Sequence, residues 1–326
     1  MGPPRLGGPE RRVKSTETLI DDPSIRLPTE ARVRVIEYTD PISIWCWGLE
    51  PTIRRLEVLY PETVDVEVRM GGLFEDFGPL REYWTRMSGG RWKESVRAFM
   101  TAVAGQHRMP MNPDAMLDGM EDFESTWPAC IAVKAAELQG PAKGRRYLRR
   151  LREAALLEGR PIHRRGIQLD LAPDVELDPE ALRRALEDGT ADRAFRRDLD
   201  ECRANGITGF PTLLCHRGDA TVRIEGWVPW DVFDARLEDL DAGLRPRKLG
   251  ADERVVQGIL DRYGTCATRE IAAILGVPDD EAEIRLDELA ARDMLLRLDL
   301  GTGVVWSLPR AAPVRADPVN SGTAGP

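Results

Sequence analysis

Long apolar runs are missing from this sequence. None approaches the roughly 18 residues that a membrane-spanning helix needs. The stretch Met1 to Arg12 is rich in Pro, Gly and Arg and has no apolar segment of the secretory kind. Leu6 stands where a myristoylation pattern requires Ser or Thr. The expectation is a cytoplasmic protein. Cysteine is scarce and scattered: five residues, at 46, 130, 202, 215 and 266, with no CxxC. That excludes a disulfide framework and a Cys-ligated zinc. Three histidines, His107, His163 and His216, are too few and too far apart for a metal cluster, so no metal is expected. Positive charge is in the minority, with 46 basic against 55 acidic side chains and a net charge of −9. Such a field repels phosphates, so nucleic acid is not the expected partner.

What is present organises itself along 326 residues, enough for two or three domains. Residues 1–30 are Pro-, Gly- and charge-rich and read as a flexible leader. Val33, Val35 and Ile36 open a short buried strand. Asp40-Pro41 marks a turn. Trp45, Leu49, Ile53, Leu56 and Leu59 then recur at helical spacing from Ser43 to Leu59, with Pro51 inside. Val64, Val66 and Val68 alternate with charged residues as a second strand. A strand–helix–strand opening of this kind predicts a parallel pair.

Residues 75–205 carry mostly helical signals, including Asp178-Pro179 and Gly189 as start and stop of one helix. Two strands, Thr212–His216 and Ala220–Glu225, flank a tight turn and must be antiparallel. A helix from Val232 to Leu240 follows. Residues 244–251, with Arg-Pro-Arg-Lys, read as a linker. In 252–310 the pattern is three helices, Glu253–Tyr263, Thr268–Leu275 with Thr268 as N-cap, and Pro278–Asp293. A two-stranded hairpin then turns at Gly301-Thr302-Gly303. This is a winged-helix arrangement. Its third helix is acidic (Asp279, Asp280, Glu281, Glu283, Asp287, Glu288), the wrong sign for a DNA groove. A protein-contact role is expected instead. Residues 311–326 read as a disordered tail.

The segment Thr39-Asp40-Pro41-Ile42-Ser43-Ile44-Trp45-Cys46-Trp47-Gly48 resembles the active-site segment of DsbA-like thioredoxin-fold proteins. It is closest to the FrnE-like branch and the ClpXP adaptors related to it. Met70-Gly71-Gly72-Leu73, Ser125-Thr126-Trp127-Pro128-Ala129 and Gly206-Ile207-Thr208-Gly209-Phe210-Pro211-Thr212 follow in the family's order. The resemblance spans about residues 31–243. It implies an α/β thioredoxin-like fold with a long helical insertion, ahead of the winged-helix-like unit. It further implies a cis bond at Phe210-Pro211 and binding of protein clients as an extended peptide at that loop. Protease machinery is an implied partner.

The departure from the family lies at Ser43, where the first thiol of CxxC belongs; Cys46 is retained. Disulfide exchange needs a thiolate at the outer seat and a resolving thiol one turn deeper. An alcohol neither ionises near neutral pH nor forms a disulfide, so dithiol turnover is disfavoured. The main reading is a thiol-related adaptor or sensor. The alternative is a thiol-disulfide oxidoreductase or isomerase, or a glutathione-dependent enzyme using Cys46 or Ser43, as the related kappa-class glutathione transferases use serine. Two readings stand for Ser43, a helix cap or a hydrogen-bond partner for a bound thiol. Two stand for Cys46, a small buried residue or a mixed-disulfide site. Phe210 is expected to offer an aromatic edge beside Pro211. Trp45 lies on the apolar stripe and reads as core, whereas Trp47 lies off it and reads as a contact residue. Cys215 is the other thiol whose context places it near the site, with pairing to Cys46 a minor expectation. The stretch Lys143–Arg165, nine basic residues against two acidic, reads as a solvated helix face.

Overall fold

The computed structural model of the chain describes residues 32–250 and 252–309. The leader 1–30 and the tail 311–326 lie outside the described residues. Branched side chains favour an extended backbone, and strand β1 (Val33–Thr39) lies at the centre of a four-stranded sheet, order β2-β1-β3-β4. Strand β2 (Val64–Met70) runs parallel to β1, from Val33 opposite Val64 to Thr39 opposite Met70. Strands β3 (Thr212–Arg217) and β4 (Ala220–Glu225) are antiparallel, with Tyr38 opposite Thr212. The crossover between β1 and β2 is helix α1 (Ile44–Leu59).

The stretch between β2 and β3 is helical, as the sequence pattern predicts, with eight α-helices: α2 (Gly78–Met87), α3 (Trp92–His107), α4 (Pro113–Asp118), α5 (Trp127–Glu137), α6 (Pro141–Leu156), α7 (Arg165–Leu171), α8 (Pro179–Glu187) and α9 (Thr190–Ala204). The Asp178 carboxylate accepts from the Glu180 N–H at the start of α8, and Gly189 beyond its end has φ of 75°. Helix α10 (Trp230–Leu240) closes this part.

The C-terminal elements are α11 (Glu253–Tyr263), β5 (Thr265–Ala267), α12 (Thr268–Leu275), α13 (Asp279–Ala290), β6 (Leu296–Leu300) and β7 (Gly303–Ser307). The sheet is three-stranded, order β5-β7-β6, not the two strands expected, because β5 is too short to show a period. Thr268 is the first helical residue of α12 and not its cap. Ala267 holds the cap position, with its N–H donating 2.7 Å to the Glu270 carboxylate, while the Thr268 hydroxyl accepts from Trp306 Nε1.

The winged-helix-like elements do not stand apart. Leu49, Ile53 and Leu56 of α1 share one apolar core with Ile271, Ile274, Leu286 and Trp306. Leu244 and Leu249 pack against the same core, and the Arg247 N–H donates to the Leu59 carbonyl at 2.7 Å. A second apolar cluster, around Met70, Phe123, Tyr147 and Phe195, fills the helical insertion.

Helix α6 keeps Arg145 and Arg146 at the surface but corrects the expectation of a solvated basic face at Arg149 and Arg152. Arg149 and Arg152 point inward. Arg152 is fully buried between Glu37 (3.3 Å) and Glu50, and also reaches the Thr39 hydroxyl. Arg149 forks onto both oxygens of Glu270 at 2.7 and 3.0 Å. Arg54 of α1 donates to the Thr265 carbonyl (2.9 Å) and Cys266 Sγ (2.8 Å) and pairs with Glu270 (3.0 Å). Carboxylates contributed by β1, α1 and α12 draw these guanidiniums in, because a buried charge persists only when paired.

Candidate functional site

Three loops meet at one edge of the main sheet because of its register. β1 ends at Thr39 beside Met70 of β2, and Tyr38 lies opposite Thr212 of β3. The segments Asp40–Ser43, Gly71-Gly72 and Gly209–Pro211 are therefore neighbours, tied by the Gly71 N–H donating 2.7 Å to the Thr39 carbonyl. Asp40 lies under this junction with no exposed surface, accepting from the N–H groups of Ile42 (2.9 Å) and Leu73 (2.8 Å) and from the Cys130 thiol (3.3 Å). Burial pushes its pKa up while those hydrogen bonds hold it down. The sequence showed Asp40 only as a turn residue. The carboxylate's binding role depends on Leu73 and Cys130, which no local pattern connects to it.

Ser43 is the N-cap of α1, its Oγ accepting from the Cys46 N–H at 3.3 Å. It is 4% exposed. Cys46 has no exposed surface, and its thiol pKa is pushed up to about 11 by burial, with Arg152 opposing. A thiol so placed is almost wholly protonated at neutral pH and has no open face for attack. All five cysteines are buried and free. Cys215 does not pair with Cys46; it belongs to the apolar core around Leu49 and Leu213.

Trp47 does not hold the contact position expected of it, while Trp45 packs against the apolar core as its stripe position implies. Trp47 is fully buried, its Nε1 donating 2.8 Å to the Pro110 carbonyl and its ring 4.3 Å from the Arg149 guanidinium. It presents nothing to a partner. Trp45 is half-buried, its ring 6.4 Å from both His107 and Trp227. The cause is that α1 is covered on nearly every side, so the face opposite the apolar stripe is also inside.

His107, not singled out in the sequence, packs directly on α1. A Cβ at Gly48 would lie 2.5 Å from its ring, so only glycine admits this approach. Its Nδ1 accepts from the Met109 N–H at 3.0 Å, Nε2 has no hydrogen-bond partner among the described residues, and burial lowers its pKa to about 4.

Phe210-Pro211 is cis. The Phe210 ring lies over Gly71, where a Cβ would sit 2.0 Å from it, and the residue packs against the cluster of Ile36, Tyr38, Cys202, Ile207 and Leu214. The Thr212 hydroxyl donates 2.8 Å to the Gly209 carbonyl. Among the described residues, neither the N–H nor the carbonyl of Phe210 has an internal partner. The space beside Ile42, bounded by Met116, Met120 and His163, is about 10 Å³ and holds one water at most. Among the described residues, no group of His, Cys, Asp and Glu forms a metal site, and no helix is long and apolar enough to cross a membrane.

Comparison with known proteins agrees with this architecture. The family described as thioredoxin matches residues 37–235. A ClpXP adapter protein SpxH of Shouchella clausii is 27% identical over 283 residues, 86% of this chain and 90% of its own. The SpxH of Halalkalibacterium halodurans is 25% identical over 91% of this chain and 95% of its own. Among solved structures, the probable DsbA oxidoreductase SCO1869 of Streptomyces coelicolor superposes with a TM-score of 0.53 at 21% identity. It covers 67% of this chain and 94% of its own. The chain belongs to the thioredoxin family.

Proposed function

We propose that this thioredoxin-family chain is an adaptor that grips protein clients in the cytosol and presents them to proteolytic machinery without exchanging disulfides. The observation that carries the reading is the pair Ser43 and Cys46. The outer seat holds an alcohol already used as a helix cap, and the inner thiol is sealed and protonated. The N–H and carbonyl of Phe210, unpaired among the described residues, give an extended client segment one donor and one acceptor beside the half-buried Phe210 ring. The adapter names of the SpxH relatives, which align over most of this chain, support the same reading. Pro211 sets the direction of that edge, and Trp45, half-buried on α1, is the less enclosed of the two tryptophans beside Cys46. The acidic α13 favours a protein over a nucleic-acid contact for the C-terminal unit.

Crosslinking and pull-down with wild type beside Phe210→Ala tests the loop. The variant is expected to recover markedly fewer clients at unchanged folding. An unchanged client set contradicts the loop as the docking edge.

A further inference from the structure

Helices α2 and α3 form a hairpin whose surface the proposed client loop does not use. No residue of α2 is buried. Tyr83 (48% exposed), Met87 (67%) and Phe99 (42%) lie on the outside. Trp84 links them, its ring 6.0 Å from Tyr83 and 5.9 Å from Phe99, so one apolar strip crosses both helices. A strip of aromatic and Met side chains on a hairpin with no buried residue in its first helix is the composition of a contact surface.

Its charge tells what fits. Residues 78–99 contain Arg81, Arg86, Arg91, Lys93 and Arg97 against Glu82 and Glu94, a local balance of +3 in a chain of −9. Arg97 is held by Asp114 and Arg91 by Glu94 (3.5 Å), while Arg86 and Lys93 have no ion pair among the described residues. The platform is anchored: Arg81 donates to the Phe123 carbonyl and stacks near the Phe77 ring at 5.6 Å.

We propose that the α2–α3 hairpin docks an acidic amphipathic segment of a partner protein, its apolar side chains on Tyr83, Trp84, Met87 and Phe99 and its carboxylates facing Arg86 and Lys93. Opposite charge around an apolar centre steers and selects such a segment. A polyanionic nucleic acid fits less well, since the rest of the molecule repels it. This surface is distinct from the Phe210 loop and does not depend on it.

The probe is a short fluorescein-labelled peptide with Leu at helical spacing and Glu between, read by anisotropy. A Lys-for-Glu version and a labelled single-stranded oligonucleotide serve as competitors. The Glu peptide is expected to bind, to weaken as salt rises, and to lose about tenfold in affinity with Tyr83→Ser plus Met87→Ser or with Arg86→Glu plus Lys93→Glu. Phe210→Ala is expected to bind it as wild type does. Tyr83, Arg86 and Met87 are exposed and Lys93 is half-buried, so the variants should keep the wild-type melting temperature; Arg86→Gln alone serves if one does not. The proposal is overturned if the Lys peptide binds equally, if the hairpin variants bind unchanged, or if Phe210→Ala weakens binding as much as they do. Preference for the oligonucleotide overturns it too. So does sedimentation showing self-association that the hairpin variants abolish, since the occupant is then a second copy.

Discussion

His107 shows how one side chain couples packing to pH. An exposed imidazole titrates near 6.5, while the buried ring against Gly48 does so near 4 because burial disfavours its charged form. Between those values the unfolded chain binds the proton and the folded chain does not. Stability is therefore lost as pH falls through the window, by about 3 kcal/mol from this residue. His107→Gln should flatten that loss relative to wild type in urea titrations at pH 7 and pH 4.5; parallel losses would contradict the assignment. Legibility at this scale was uneven. Ser43 and Cys46 stood out because a spacing of three residues has chemical meaning. Trp47 departs from its expected contact role because stripe logic assumes an exposed face, and α1 has almost none, whereas Trp45 packs against the core as its stripe position implies. Asp40 was legible only as a turn residue and His107 not at all, since the contacts that define them, Leu73 and Cys130 for one and Gly48 for the other, are distant in sequence.

At the scale of elements, α6 is the instructive case. Its charge was plain in the sequence, but its direction was not. The carboxylates that draw Arg149 and Arg152 inward come from Glu37, Glu50 and Glu270, far away along the chain. Removing Arg152 leaves Glu37 buried without its counter-ion and Glu50 with only Arg149 (3.4 Å) and Arg54 (3.9 Å). Arg152→Met should cost about 3–5 kcal/mol in denaturant unfolding. A loss below about 1 kcal/mol would mean that water or neighbouring arginines replace it. The strand–helix–strand opening and the β3–β4 hairpin were readable because periodicity of two is a local property. Strand β5 was not, since its three residues pair with β7 some forty residues later.

For the whole molecule, the sequence suggested two units joined by a linker, and packing joins them. Leu49, Ile53 and Leu56 lie against Ile271, Ile274 and Trp306, and each such side chain contributes about 2 kcal/mol through burial. Arg54 and Arg149 stitch the same boundary through Glu270. The full chain should therefore unfold in one calorimetric transition, and a chain cut after Gly250 should lose cooperative folding. Two separate transitions, with a stable truncated chain, would contradict this. The fold family was legible from ordered motifs, but a shared core is a property of three-dimensional contacts alone.

The account turns on whether a thioredoxin-family scaffold with Ser43 outside and Cys46 sealed can still move electrons. Insulin-disulfide reduction with dithiothreitol, and again with glutathione, measures this directly. The account predicts a rate no faster than the reductant alone, identical for wild type and Cys46→Ala. Sustained turnover at the pace of a dithiol enzyme, abolished by Cys46→Ala, would contradict it.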